Sequence, residues 1–101
     1  MLKYYVIERE IAGVGSLSPA ALGDASGASC RAVAQVPGLQ WQHSYVAADK
    51  TFCIYLAESE QAIRRHAELS GFPASRITEI RCLIDPTTER LGTAHGAAAA
   101  A

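Results

Sequence analysis

WQHSYVAADKTFCIYL, Trp41 to Leu56, decides the fold. Apolar and polar side chains alternate up to Val46, Ala47-Ala48-Asp49-Lys50 makes a turn, and Thr51 to Leu56 follows as a run rich in β-branched and aromatic residues. That pattern predicts a β-hairpin. With Val46 opposite Thr51, the register sets Tyr45 against Phe52, His43 against Ile54 and Trp41 against Leu56, while Gln42, Ser44, Cys53 and Tyr55 share the other face. The second strand is apolar on both faces, as a strand covered above and below should be. His43 stands within an apolar stripe, where it is either a ligand or a buried structural histidine.

Upstream, LKYYVIER (residues 2–9) is a second doubly apolar strand, with Tyr4 and Val6 on one face and Tyr5 and Ile7 on the other. After the loop IAGVGSL, Ser18 and Pro19 predict a helix start: the hydroxyl caps free amides, and proline fits the first helical position. The helix should run to about Gln35, because Val36 precedes Pro37 and is pushed from helical geometry. Gly23 and Gly27 within it each cost about 1 kcal/mol relative to alanine. Packing must therefore hold this helix, and its small residues allow a close approach to a sheet.

Downstream, Ser59 and Glu60 predict a second helix start, which Gly71 and Pro73 terminate. Its inward stripe is Ala62, Ile63, His66, Leu69 and Ser70, while Arg64, Arg65 and Glu68 face water. Arg76 to Asp85 is predicted as an edge strand, and Asp85-Pro86-Thr87-Thr88 as the turn that ends it. The order βαββαβ predicts an α+β, ferredoxin-like fold: a four-stranded antiparallel sheet in order 4-1-3-2 with both helices on one face. Residues 1–88 should form this domain, and 89–101, ending in an alanine run, a flexible tail. Cys53 and Tyr55, with Tyr5 or Tyr4, are expected on the helix-free face. Such a face needs cover, and a homodimer closing into an α+β barrel is the simplest cover.

The bulk numbers exclude several classes. A chain of 101 residues has room for one core. Nine basic and ten acidic residues, scattered, leave a net charge of −1 and no footprint for nucleic acid or an anionic membrane. MLKYYVIERE interrupts its apolar residues with charges, which predicts neither a signal peptide nor a membrane span. Three widely spaced cysteines, Cys30, Cys53 and Cys82, without a C-x-x-C pair, point to reduced thiols and a cytoplasmic location.

HSYVAADKTFCIY (43–55), AIRRHAELSGFPASRITEI (62–80) and IDPTT (84–88) together resemble a family of short bacterial proteins described as nickel-binding or nickel-responsive, a domain of unknown function. The likeness extends from Tyr4 through Leu17-Ser18 to Thr88; Gly23, Gly27 and the alanine tail depart from it. The resemblance implies a ferredoxin-like homodimer that binds nickel, or another divalent metal, without catalysing a reaction. It also implies His43 and His66 as the metal ligands, since both sit where the matching segments carry histidine. Imidazole suits borderline metals such as nickel. Two imidazoles make half a site, so water, a dimer mate or a carboxylate such as Asp49 must complete it.

The alternative is a small enzyme or small-molecule carrier with a pocket between the sheets of the dimeric barrel, lined by Tyr5, Gln42, Ser44, Cys53 and Tyr55. Cys53 is read there as filler, because His43, the nearest base, points to the other face.

Overall fold

The computed structural model describes residues 1–90; the expected tail beyond Arg90 lies outside them. Strand β1 (Lys3–Glu10) leads through a 3-10 turn (Val14–Ser16) into helix α1 (Pro19–Val33), followed by β2 (Gln40–Val46), β3 (Lys50–Ala57), helix α2 (Glu60–Ser70) and β4 (Arg76–Ile80). The sheet order is β2-β3-β1-β4, with every neighbouring pair antiparallel. This is the predicted 4-1-3-2 arrangement. Two crossovers each skip one strand, so both helices lie over the same face.

The helix ends follow local chemistry. Ser18 accepts from the Ala21 amide and Pro19 occupies the first turn; Ser59 accepts from the Ala62 amide. Helix α2 closes on Gly71, whose φ of 79° lies in the left-handed region that glycine enters without steric cost. Arg64 pairs with Glu60 at 2.8 Å and Arg65 with Glu68 at 3.3 Å, so these arginines serve the exposed face of α2. Helix α1 is slightly shorter than the sequence predicts, and β4 stops at Ile80, with Arg81 to Asp85 exposed beyond it. Asp85 and Thr87 form a local turn, in which the Asp85 carboxylate accepts from the Thr87 amide at 2.8 Å.

The core lies between the helices and the alternate residues of the central strands. Tyr5 and Ile7 of β1, Cys53, Tyr55 and Ala57 of β3, Val36, Leu39 and Ile63 form one buried cluster. This reverses the expected facing of the sheet: Tyr5, Cys53 and Tyr55 lie beneath the helices, and the stripe carrying His43 is on the uncovered side. Both central strands are apolar on both faces, so their alternation alone does not choose which face is buried.

The hairpin register also departs from strict alternation. Val46–Thr51, Tyr45–Phe52 and His43–Ile54 pair as expected, but a bulge between Trp41 and His43 shifts Trp41 opposite Tyr55 and Gln40 opposite Leu56. An extra residue in one strand rotates everything beyond it to the other face. Trp41 therefore joins Ser44 on the helix side, where its indole N–H donates to Ser44 Oγ at 2.9 Å.

The connection from β1 to α1 is fastened to the β2–β3 turn. Ile11 and Gly15 amides donate to the Asp49 and Ala48 carbonyls at 3.0 and 2.9 Å, and the Gly13 amide donates to Asp49 Oδ1 at 2.9 Å. A Cβ on Gly15 would fall 2.6 Å from the Ala47 carbonyl oxygen, so this approach requires glycine.

Candidate functional site

The uncovered face carries His43. It is exposed, stands opposite Ile54 and meets Tyr45 edge-on with ring centroids 5.2 Å apart. Around it, Val6, Phe52, Ile54 and Leu56 are half-buried, while Tyr4 and Tyr45 are 48% and 62% exposed. The face is thus apolar and aromatic through its centre, carries the ion pairs of Lys50 with Glu8 and Glu10 and of Arg76 with Glu8 toward one end, and holds His43 as its imidazole among the described residues.

His66 lies on the opposite side of the sheet. It projects from α2 onto Tyr55 and is 1% exposed, so the sheet separates it from His43. Its Nδ1 is 3.5 Å from Arg9 Nη2, and its Nε2 lies 3.1 Å from Ser29 Oγ, 3.3 Å from the Ser29 carbonyl and 3.4 Å from Tyr55 Oη. A guanidinium only donates, so Nδ1 is the acceptor and the neutral ring carries its proton on Nε2, facing Ser29. Burial, reinforced by the charge of Arg9, holds the His66 pKa below its ordinary 6.5. Burial also raises the Tyr55 phenol above its ordinary value, keeping it protonated. A single chain therefore does not bring His43 and His66, the two ligands that the resemblance implies, to one site.

Among the described residues, no three or more His, Cys, Asp or Glu side chains gather where they could hold a metal ion. Asp49, the carboxylate suggested as a third ligand, is engaged with the Gly13 amide in the loop fastening. Cys30, Cys53 and Cys82 are free thiols, of which only Cys53 is buried.

The helix-covered side contains a cavity of about 240 Å³ between α1 and the sheet. Ser44, Cys53 and Tyr55 line it, so three of the residues assigned to a pocket do share one, although beneath α1 and not between two sheets. Arg9 is the lining residue that sequence reasoning missed. It is 3% exposed, donates from Nη1 to the Pro73 carbonyl at 2.8 Å, and sits 5.9 Å from the Tyr55 ring centroid. The signal was present in the alternation: Arg9 continues the inward series Tyr5, Ile7. An arginine two residues past a core isoleucine must either leave the face or bury its charge there.

The residues 5–80 match the family described as nickel responsive protein SCO4226-like, and the chain belongs to that family. No curated protein matches the sequence. Among solved structures, the crystal structure of SCO4226 from Streptomyces coelicolor A3(2) superposes with a TM-score of 0.69 at 17% identity, over 80% of this chain and 99% of that one. At that identity the likeness establishes the shared fold. No helix among the described residues is long and apolar enough to cross a membrane.

Proposed function

We propose that the protein is a non-enzymatic, nickel-responsive homodimer of a reducing, cytoplasmic compartment, which joins through its uncovered sheet face and uses His43 as a metal ligand. The observation that carries this reading is the exposed imidazole of His43 beside the apolar centre of the uncovered face. An isologous interface repeats every residue across its two-fold axis. It would thereby supply a second copy of His43, with water or a carboxylate completing the coordination. Family membership supports nickel as the ion, and neutral imidazole suits it.

His66 enters the proposal as a separate candidate. To ligate a metal it must surrender the Arg9 contact at Nδ1 or the Ser29 contacts at Nε2. Calorimetric nickel titrations of the native protein, His43→Ala and His66→Gln separate the two. The expected result is a loss of about tenfold or more in affinity for His43→Ala, equivalent to about 1.4 kcal/mol, with His66→Gln close to native. Equal affinity in native protein and His43→Ala would remove His43 from the site. A loss confined to His66→Gln would move the site to the covered face.

A further inference from the structure

We propose that the cavity beneath α1 is a binding site for a small organic monocarboxylate, with Arg9 as the counter-charge to the carboxylate and the apolar walls holding the rest of the molecule. The site is on the covered face and is independent of His43 and of the nickel reading.

The first argument is charge. A buried ion is costly unless an opposite charge pairs with it. Arg9 is 3% exposed, yet its partners are a backbone carbonyl, a neutral imidazole and the face of a tyrosine ring. No carboxylate pairs with it among the described residues, and no aspartate or glutamate lines the cavity. The cavity therefore offers one uncompensated guanidinium, a group whose planar donors match a carboxylate. With Arg9 as the only cation among the described lining residues, a single negative charge is matched and a phosphomonoester's second charge is not.

The second argument is shape. The cavity is a cleft that opens to solvent on one side, so a ligand can enter it without unfolding the core. Here α1 presents Ala25, Ser26 and Ser29 to the sheet where larger side chains would fill the space. Leu17 and Val46, both exposed, lie at the rim, while Cys53 and Tyr55, both buried, form the floor. A volume of about 240 Å³ is roughly eight times the share of one liquid water and lies just below the range of drug-sized pockets. That suits a ligand on the order of ten non-hydrogen atoms, such as an aromatic or branched-chain acid. The hydroxyls of Ser29 and Tyr55, already bonded to each other at 3.1 Å, lie beside Arg9 as further groups for the carboxylate.

Trp41, the single tryptophan, lines the cavity and stacks on Tyr55 with centroids 6.4 Å apart, so its emission reports occupancy. The full chain is titrated with phenylacetate, phenylacetamide and benzyl phosphate, with a chelator present to exclude metal effects. Phenylacetate is expected to saturate with a Kd of about 1 mM or tighter, and both comparison compounds to bind about tenfold more weakly or worse. Arg9→Lys should weaken phenylacetate by about tenfold. Ala25→Phe, which retains Arg9 and fills the cavity, should abolish the signal in a protein whose circular dichroism is native. Absence of saturable phenylacetate binding, equal binding of acid and amide, or undiminished binding to Ala25→Phe would each overturn the proposal.

Discussion

Arg9, His66, Tyr55 and Ser29 form one buried polar cluster in which every member constrains the next. Arg9 makes Nδ1 of His66 an acceptor; the imidazole N–H then turns to Ser29, and the Ser29 hydroxyl meets the phenol of Tyr55. Protonating His66 would place a second positive charge beside Arg9 in a site that water barely reaches. The folded-state pKa of His66 is accordingly lowered, first by burial and then by Arg9. A group with a depressed folded pKa that is neutral when deprotonated contributes fully at pH above its unfolded value. Because the unfolded chain takes up the proton first, stability should fall as pH drops below about 6.5, by at most about 1.4 kcal/mol per pH unit for this group, until pH lies below the folded value. Thermal melts between pH 7.5 and 5.5 should show this slope in the native protein and a flatter profile in His66→Gln. Identical slopes would mean that His66 does not carry the dependence. Arg9 and His66 differ in how readable they were. The helical stripe placed His66 inward from the sequence, whereas the burial of Arg9 depended on which sheet face the helices cover.

At the scale of elements, the caps are local and the fastening of loops is not. Ser18, Ser59 and Gly71 act within a few residues of themselves, which is why their spacing alone marks the helix ends. The contact between Gly15 and the Ala47-Ala48 backbone joins segments more than thirty residues apart. Any side chain at Gly15 must push the β1–α1 connection away from the hairpin turn and break the Gly15–Ala48 hydrogen bond. Gly15→Ala should therefore destabilise the fold by about 1–3 kcal/mol, the usual cost of forcing an added methyl into a close contact. Gly23→Ala is the control. No atom other than those of its own helix approaches its Cβ position, so the same change there should stabilise the protein by up to about 1 kcal/mol. Urea midpoints of the two variants check the pair, and a Gly15→Ala midpoint at or above native would refute the clash. The bulge between Trp41 and His43 belongs to this scale as well. It directs Trp41 to Tyr55 and the cavity while leaving His43 on the open face.

For the whole molecule, the asymmetry of the sheet is the dominant fact. One face is closed by two helices, and the other displays Val6, Phe52, Ile54 and Leu56 between exposed Tyr4 and Tyr45. Contiguous apolar surface of this kind marks an interface more often than a free surface. Ile54 lies at its centre, opposite His43 on β2 and Val6 on β1. If the proposed homodimer forms there, Ile54→Asp should yield a monomer by light scattering at tens of micromolar, because a two-fold interface places the unpaired carboxylate in both halves. Native protein that is already monomeric at that concentration would refute the dimer. The proposed dimer should also dissociate less readily with nickel bound, since a ligand held only by the assembled state stabilises it by mass action.

What the sequence determined by itself was everything with a short physical range. Periodicity named six elements in their order, the caps placed both helices, and the order with right-handed crossovers led to the sheet topology. The pairing of His43 with Ile54 followed from the four-residue turn. Tertiary structure decided the facing of the sheet, because β1 and β3 are apolar on both sides and a one-residue change of parity exchanges their inner and outer sets without altering local preference. That choice separated His43 from His66, moved Cys53 and Tyr55 from the expected interface to the interior, and buried Arg9. The cavity has the same origin. It exists because small residues of α1 oppose a sheet face whose identity only the packed fold settles.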